Sequence, residues 1–160
     1  MRVDLTSLAG KSSGSVPFSL EAPAGEWIDP VDPFTFTEPV RVEGVVEKDA
    51  DGWELKAQMQ TAATAPCDRC LSPVTLPIAC SIRERVSPES VVGNCLELTE
   101  PVAAALLESL PMKVVCREDC LGLCPTCGKD LNTGPCDCRE SQTDPRFDGL
   151  RALFKLDEEV

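Results

Sequence analysis

Apolar and polar residues alternate through the middle of the chain, and this alternation predicts antiparallel β-strands with one buried face. One run begins at Val40 and ends near a turn at residues 48–52, a second begins at Trp53, and a third begins at Val74. A period of two residues places every second side chain on the same face of a strand. The pattern predicts a hairpin and a third strand, with residues 66–73 joining the last two. The residues predicted to face the core are Val40, Val42, Val46, Trp53, Leu55, Ala57, Met59, Val74, Leu76, Ile78, Cys80 and Ile82.

Two segments have the spacing of an amphipathic helix. The first helix is predicted near residues 100–110 and ends before Pro111. The second is predicted over residues 144–157, where Asp144-Pro145 supplies the N-cap and the first helical position. The first apolar stripe is predicted to face the core, and the second is predicted to pack on the sheet, with contact to a partner as the alternative. The stripes consist of Ala103, Leu106, Leu107 and Leu110, and of Phe147, Leu150, Leu153, Phe154 and Leu156.

Residues 1–39 lack a sustained apolar period. Five prolines interrupt this segment, and Ser and Gly are scattered between them. Side chains such as Phe18 and Trp27 make it too apolar for a free tail, so an irregular arm packed on the core is predicted, which can include short edge strands. We assign residues 40–115 to an antiparallel β domain and residues 116–140 to a cysteine-rich zinc module. With the two predicted helices, the fold class is α+β.

The spacing of the cysteines is the strongest chemical signal in the chain. Eight of the ten cysteines fall into four close pairs. Close spacing lets one turn aim two thiolates at a single tetrahedral Zn²⁺, and two such turns complete a four-cysteine site. In Cys124-Pro125-Thr126-Cys127-Gly128 the proline fixes one φ angle and the glycine tolerates a positive φ, as in a zinc knuckle. The predicted zinc ligands are Cys67, Cys70, Cys116, Cys120, Cys124, Cys127, Cys136 and Cys138.

The order of the pairs favours two structural zinc ions. The residues between Cys127 and Cys136 include turn formers such as Asn132, which suits a local site. The local set of four is Cys124, Cys127, Cys136 and Cys138, and the long-range set is Cys67, Cys70, Cys116 and Cys120. A different set stays open, in which the last pair is spare and the ligands are Cys116, Cys120, Cys124 and Cys127.

Disulfides are the competing interpretation of a cysteine-rich chain. The N-terminal residues contain no apolar run of signal-peptide length, and no run of about 18 apolar residues occurs. We therefore expect a cytoplasmic protein without a membrane span, whose thiols stay reduced. A redox-active dithiol is less favoured than a zinc half-site, because no helix pattern follows Cys70. Cys80 and Cys95 are expected to be isolated structural residues.

The charge balance limits the class of partner. The formal net charge is −12, which opposes wrapping a long nucleic acid and favours a basic protein partner. The cysteine-rich module is locally neutral, so a small RNA contact there remains an alternative. The candidate RNA-contacting residues are Arg69, Arg117, Lys129 and Arg139.

Catalytic signatures are missing from the sequence. The chain contains no histidine, no Gly-rich phosphate loop and no nucleophile elbow. Four cysteines for each zinc would close the coordination shell, whereas a catalytic zinc keeps an open position. We therefore expect a protein that is not an enzyme and has no small-molecule substrate.

The combined cysteine string resembles that of a known family. The string begins with Cys67-Asp68-Arg69-Cys70-Leu71, continues after Leu110-Pro111 with the segment from Cys116 to Asn132, and closes with Cys136-Asp137-Cys138. This pattern is similar to the YceD family, the large ribosomal RNA subunit accumulation proteins. The resemblance covers most of the chain except the N-terminal arm.

The resemblance implies a bacterial or organellar factor needed for normal accumulation of large-subunit ribosomal RNA, with no known catalytic activity. The acidity of the chain leads to a further hypothesis, that the protein holds a basic ribosomal protein or binds the pre-ribosomal large subunit. Two alternatives remain, an RNA-binding zinc-knuckle module and a thiol-based redox sensor that releases zinc on oxidation.

Overall fold

The computed structural model describes residues 1–87 and 90–138. Within these ranges the chain forms two antiparallel sheets and one α-helix, α1 (Thr99–Ser109). The strands are β1 (Arg2–Asp4), β2 (Gly14–Ala22), β3 (Thr35–Phe36), β4 (Val40–Asp49), β5 (Gly52–Pro66), β6 (Pro73–Val86), β7 (Val91–Val92) and β8 (Cys95–Glu97).

Strand β5 is the centre of the larger sheet. Strand β6 pairs with it along one edge, from Trp53 opposite Val86 to Pro66 opposite Pro73. The other edge pairs first with β4 and then with β3, and β2 adds to the outer side of β4. The smaller sheet has the order β1, β8, β7. The long β5–β6 ladder therefore carries its connecting turn far from the β4–β5 turn.

The alternation predicted for the three central strands is confirmed. Leu55 and Met59 of β5 are fully buried, while the intervening lysine and glutamine side chains face outward. Burying side chains of this size contributes roughly 1.5–3 kcal/mol each. Helix α1 packs against β6 with Val102 and Leu106 buried. The remaining core residues include Val3, Leu5, Trp27, Val40, Val42, Val46, Ala57, Ala63, Ile78, Ile82, Leu96 and Leu98.

The fold class is more β than the predicted α+β. Helix α1 matches the helix predicted near residues 100–110, but it is the one α-helix of the described residues, beside eight strands. It is neither long nor apolar enough to cross a membrane. The helix predicted over residues 144–157 lies outside the described residues.

The prediction for residues 1–39 allowed short edge strands within an irregular arm, and residues 14–22 form an edge strand of nine residues. This segment forms β2, which pairs along its full length with β4, from Gly14 opposite Lys48 to Ala22 opposite Val40. An edge strand needs only one set of ladder hydrogen bonds, so Pro17 is accommodated there. A sequence signal was present in the alternation of Val16, Phe18, Leu20 and Ala22.

Candidate metal centres

The β5–β6 hairpin carries the first group of thiols at its tip. β5 ends at Pro66 and β6 begins at Pro73, so Cys67 and Cys70 lie in the turn between them. Cys116 and Cys120 lie in the segment that follows α1. The Cys67 and Cys120 sulfurs are 4.0 Å apart, and the Cys70 and Cys116 sulfurs are 3.6 Å apart. All four sulfurs lie within 4.8 Å of one another. We call this group the hairpin tetrad.

Backbone hydrogen bonds shape the turn at the hairpin tip. The Leu71 amide donates to the Cys67 carbonyl at 2.9 Å, and the Cys67 amide donates to the Ser72 carbonyl at 2.8 Å. Leu71 has a φ of 62°, a left-handed conformation that costs a residue with a Cβ roughly 1–2 kcal/mol. The turn points the Arg69 amide at the Cys67 sulfur, 3.4 Å away.

The second group of thiols begins with a turn that has the same backbone hydrogen bonds as the hairpin turn. The Gly128 amide donates to the Cys124 carbonyl at 2.9 Å, and the Cys124 amide donates to the Lys129 carbonyl at 2.8 Å. Gly128 has a φ of 74°, the position that Leu71 occupies in the hairpin turn. These two hydrogen bonds and the positive φ are the backbone features expected of a zinc knuckle. Both turns have them, although only the second turn has glycine at the position with positive φ.

Cys136 and Cys138 complete this second group, which we call the knuckle tetrad. Its four sulfurs also lie within 4.8 Å of one another. The chain between its two halves forms a short 3-10 turn, Leu131–Thr133, in which the Asp130 side chain accepts from the Asn132 amide. A bridge between Leu123 and Asp130 holds this excursion against the knuckle.

The sulfur spacing fits a tetrahedral metal site. A Zn–S bond of about 2.3 Å places the sulfurs of a regular tetrahedron roughly 3.8 Å apart. A disulfide requires about 2.05 Å. The cysteines of both tetrads are free thiols in the structure. Each tetrad could therefore hold a metal ion.

Each tetrad contains at least one thiol whose pKa is lowered, and in the hairpin tetrad hydrogen bonding with Ser72 also lowers the pKa of Cys70. Burial opposes ionisation of Cys67, but amides of Cys116, Cys70 and Arg69 donate to its sulfur and lower its pKa to about 6. In the knuckle tetrad the amides of Cys127 and Thr126 lower the pKa of Cys124 to about 6. A thiolate stabilised by backbone amides is ready to ligate a metal.

Each tetrad also contains one thiol that holds its proton. Partial desolvation by surrounding atoms and then the neighbouring Cys120, Cys70 and Cys67 thiols raise the pKa of Cys116 to about 12, although the residue is exposed by surface area. The Cys127 thiol, burial and the Cys124 thiol raise the pKa of Cys138 to about 12. Four sulfurs this close cannot all be ionised without a cation among them, because like charges disfavour one another.

Asp68 ties the two halves of the hairpin tetrad together. Its carboxylate accepts from the Val114 amide at 2.6 Å, and its own amide donates to the Val114 carbonyl at 2.8 Å. This exchange brings the segment after α1 onto the hairpin tip. It also positions the Cys116 amide 3.4 Å from the Cys67 sulfur.

Asn132 links the knuckle excursion to the hairpin tetrad. Its side-chain amide donates to the Cys120 sulfur at 3.5 Å, and its carbonyl oxygen accepts from the Leu121 amide at 2.9 Å. Gly122 lies at the same junction with a φ of 77°, where an added Cβ would be 2.9 Å from the Arg69 carbonyl oxygen. The two tetrads therefore share one packed junction.

The candidate RNA-contacting cations form hydrogen bonds within the module. Arg69 donates to the Cys120 carbonyl at 2.8 Å and to the Glu118 carbonyl at 3.1 Å. Arg117 donates to the Asn132 side chain at 2.7 Å, and Lys129 donates to the Pro135 carbonyl at 2.7 Å. All three side chains remain exposed at their surfaces.

Arg139 lies outside the described residues. Cys80 and Cys95 belong to neither tetrad. Cys80 faces α1, with its sulfur 3.8 Å from the Ala105 carbonyl oxygen, and burial raises the pKa of its thiol.

Sequence reasoning missed the supporting roles of Asp68 and Asn132. Both are common turn residues, and spacing alone did not show which distant groups they would meet.

Relatives share part of the chain. The uncharacterized protein Rv2926c of Mycobacterium tuberculosis is 33% identical over 116 residues, which cover 64% of this chain and 56% of that protein. The same figures hold for the uncharacterized protein Mb2951c of Mycobacterium bovis. The uncharacterized protein YlbN of Bacillus subtilis is 26% identical over 133 residues, 76% of this chain and 77% of that protein.

The matched region thus spans little more than half the length of the mycobacterial relatives. No solved structure matches the chain. Residues 55–154 match the family described as large ribosomal RNA subunit accumulation protein YceD. This region contains both tetrads, Asp68 and Asn132. From its cysteine string and this match, the chain belongs to the YceD family.

Proposed function

We propose that the protein is a non-enzymatic factor that binds two structural zinc ions and supports accumulation of large-subunit ribosomal RNA. The arrangement of eight thiols in two groups carries this proposal. Four soft thiolates in a tetrahedral arrangement are typical of Zn²⁺ in a reducing compartment, and the family's association with ribosomal RNA fits a protein acting in the cytoplasm.

The role of the zinc ions is to stabilise the fold. The hairpin tetrad joins the tip of β5 and β6 to the segment after α1, and the knuckle tetrad closes a segment without regular strands. Such short segments gain their stability from the metal, because structural zinc contributes roughly 10 kcal/mol or more to folding. Four cysteines fill the tetrahedral shell and leave no open position for a substrate, which supports a role without catalysis.

The partner we propose is a basic protein of the large ribosomal subunit. The chain carries a formal net charge of −12, and ribosomal proteins must be basic enough to bind RNA phosphates. Electrostatic attraction would steer such a protein to this acidic surface before it reaches RNA. The protein would hold the partner during assembly and release it to the ribosomal RNA.

Two alternatives have weaker support. For RNA binding, Arg69, Arg117 and Lys129 would have to contact phosphates while each already donates within the module. For a redox sensor, a low-pKa thiol should be exposed. Cys67 and Cys124, whose pKa values are lowered, are buried, and the exposed Cys116 has a raised pKa.

Affinity capture at low salt tests the proposed partner. The full-length tagged protein, incubated with cell extract treated with ribonuclease, should retain basic large-subunit proteins identified by mass spectrometry. Depletion of the protein in cells should lower large subunits specifically on sucrose gradients. Retention of ribosomal RNA without basic proteins in an untreated extract, or an equal loss of both subunits on depletion, would contradict the proposal.

A further inference from the structure

The N-terminal segment forms an open groove that the metal centres do not use. Its volume is about 560 Å³, and its lining residues lie within the segments 23–30 and 32–39. The apolar part of the lining consists of the half-buried side chains Ile28, Phe34 and Phe36, together with Pro23, Pro30 and Pro39. The groove lies outside residues 55–154, so the family match does not account for it.

The groove is strongly negative. Asp29, Asp32 and Glu38 line it, and no lysine or arginine of residues 1–87 and 90–138 does. Within the described residues, none of these three carboxylates forms a hydrogen bond or an ion pair. The surrounding sequence adds to the field, because five acidic residues and no basic residue lie between Lys11 and Arg41. Apolar walls beside unpaired carboxylates raise the local concentration of cations that also carry apolar groups.

The groove also presents an unpaired strand edge. Strand β3 pairs with Ala63 and Thr64 of β5, and the Thr37 amide donates to the Ala62 carbonyl at 2.9 Å. Opposed residues in an antiparallel pair alternate between bonded and non-bonded positions, so the amide and carbonyl of Phe36 point away from β5. No strand of the described residues pairs with that outer edge of β3. An extended peptide can add its backbone to such an edge.

A second cavity lengthens the binding surface. It has a volume of about 460 Å³ and shares Gly25, Ile28, Asp29 and Pro30 with the groove. Its far wall is α1, where Ala103 and the exposed Leu107 contribute. The two cavities lie side by side, which suits an extended chain with apolar side chains in succession.

We propose that this groove binds an extended, Lys/Arg-rich segment of a partner polypeptide that inserts an apolar side chain between Ile28, Phe34 and Phe36. This inference rests on the proposed function and names the surface through which a basic ribosomal protein would be held. Nucleic acid does not fit, because unpaired carboxylates repel phosphates. A polypeptide satisfies the three features together: its cations meet the carboxylates, its apolar side chain fills the groove, and its backbone pairs with β3.

A peptide titration tests the groove directly. The probe is a fluorescein-labelled synthetic peptide of lysines and arginines around a central leucine, and its binding to the full-length protein is followed by fluorescence anisotropy. The groove variant combines Asp29→Asn, Asp32→Asn and Glu38→Gln. The control variant combines Asp51→Asn, Glu84→Gln and Glu118→Gln, which removes the same charge at exposed positions outside both cavities. All six substitutions preserve side-chain size.

The groove variant should weaken peptide binding about tenfold, as expected for the loss of three exposed charge pairs. The control variant should change it by less than about threefold, because distant exposed charges are screened. A peptide with glycine in place of the central leucine should bind more weakly to the wild type. Equal effects of the two variants, indifference to the leucine, or equal binding of spermidine or single-stranded RNA would each overturn the inference.

The capture experiment separates this inference from the proposed function. If the wild type retains basic large-subunit proteins and the groove variant retains them equally well, the groove inference fails and the proposed function stands. If the wild type retains none although the peptide binds in the groove, the proposed partner fails and the groove remains a basic-peptide site.

Discussion

Asp68 and Val114 exchange two hydrogen bonds across 46 positions of sequence. One bond uses the Asp68 carboxylate and the other its backbone amide, so the hairpin tip and the segment after α1 are joined by a connection that includes no metal. Zinc in the hairpin tetrad would close a junction that the backbone has already begun to form. Metal binding then requires less ordering of the chain than it would between two free segments.

Replacing Asp68 should weaken this junction. Asp68→Ala leaves the buried Val114 amide without its charged acceptor, which should lower the free energy of unfolding by about 2 kcal/mol. Urea unfolding of the zinc-loaded protein measures the loss. Asp51→Ala is the matched control, because the Asp51 side chain accepts no hydrogen bond within the described residues and should change stability little. Equal stability of the two variants would show that the Asp68 bond contributes nothing.

Gly122 should be the least replaceable glycine of the module. Gly122→Ala combines a left-handed φ with a Cβ only 2.9 Å from the Arg69 carbonyl, and we expect a cost of about 3 kcal/mol. Gly10→Ala isolates the backbone strain, since Gly10 has a φ of 74° and open space around the added Cβ, and should cost about 1 kcal/mol. Thermal and urea unfolding compare the two. A smaller loss for Gly122→Ala than for Gly10→Ala would rule out the predicted clash.

Asn132 should influence the tetrad to which it does not belong. Asn132→Ala removes a donor to the Cys120 sulfur, and outer partners of this kind change metal affinity by about tenfold or more. Asn132→Asp keeps an acceptor for the Leu121 amide but places a negative charge beside the thiolates, so it should weaken zinc at least as strongly. Competition with a chromogenic chelator reports both affinities. Zinc affinity equal to that of the wild type in both variants would show that Asn132 does not contribute to zinc binding.

Much of this architecture was predictable because it depends on period and spacing. The alternation around Leu55 and Met59 fixes which face of β5 is buried, and a one-residue shift would expose the whole set. The position of Cys67 and Cys70 between two strand runs predicts a turn at the hairpin tip. Pairs separated by two residues can meet one metal wherever the fold places them.

Other features depend on distant partners, and local pattern did not predict them. Asp68 in a turn has many possible acceptor roles, and only the path of the chain after α1 selects Val114. Arg69 was a candidate for RNA contact by its charge, whereas in the structure its guanidinium donates to the carbonyls of Glu118 and Cys120. The full length of strand β2 was not predicted: the prolines of residues 1–39 indicated an irregular arm with short edge strands, whereas β2 has nine residues and accommodates Pro17 at the sheet edge.

Zinc binding should release protons and weaken in acid. With Cys116 and Cys138 at pKa values of about 12, both thiols of the metal-free protein are protonated near neutral pH, so filling both tetrads should release at least two protons. Zinc affinity should fall as the pH falls, because protons compete with zinc for the thiolates. Below about pH 6 Cys67 and Cys124 also become protonated, so zinc affinity falls more steeply there. Calorimetry in buffers of different ionisation enthalpy counts the protons. Binding without proton release would contradict this description of the thiols.

The zinc content of purified protein tests the account most directly. Elemental analysis should give two zinc ions per wild-type chain, one for Cys67→Ser, one for Cys124→Ser and two for Cys80→Ser, whose cysteine lies outside both tetrads. Circular dichroism on the same samples reports whether each variant keeps its strands. A wild type that is folded and free of metal, or a Cys67→Ser variant that still binds two zinc ions, would contradict the two-tetrad account.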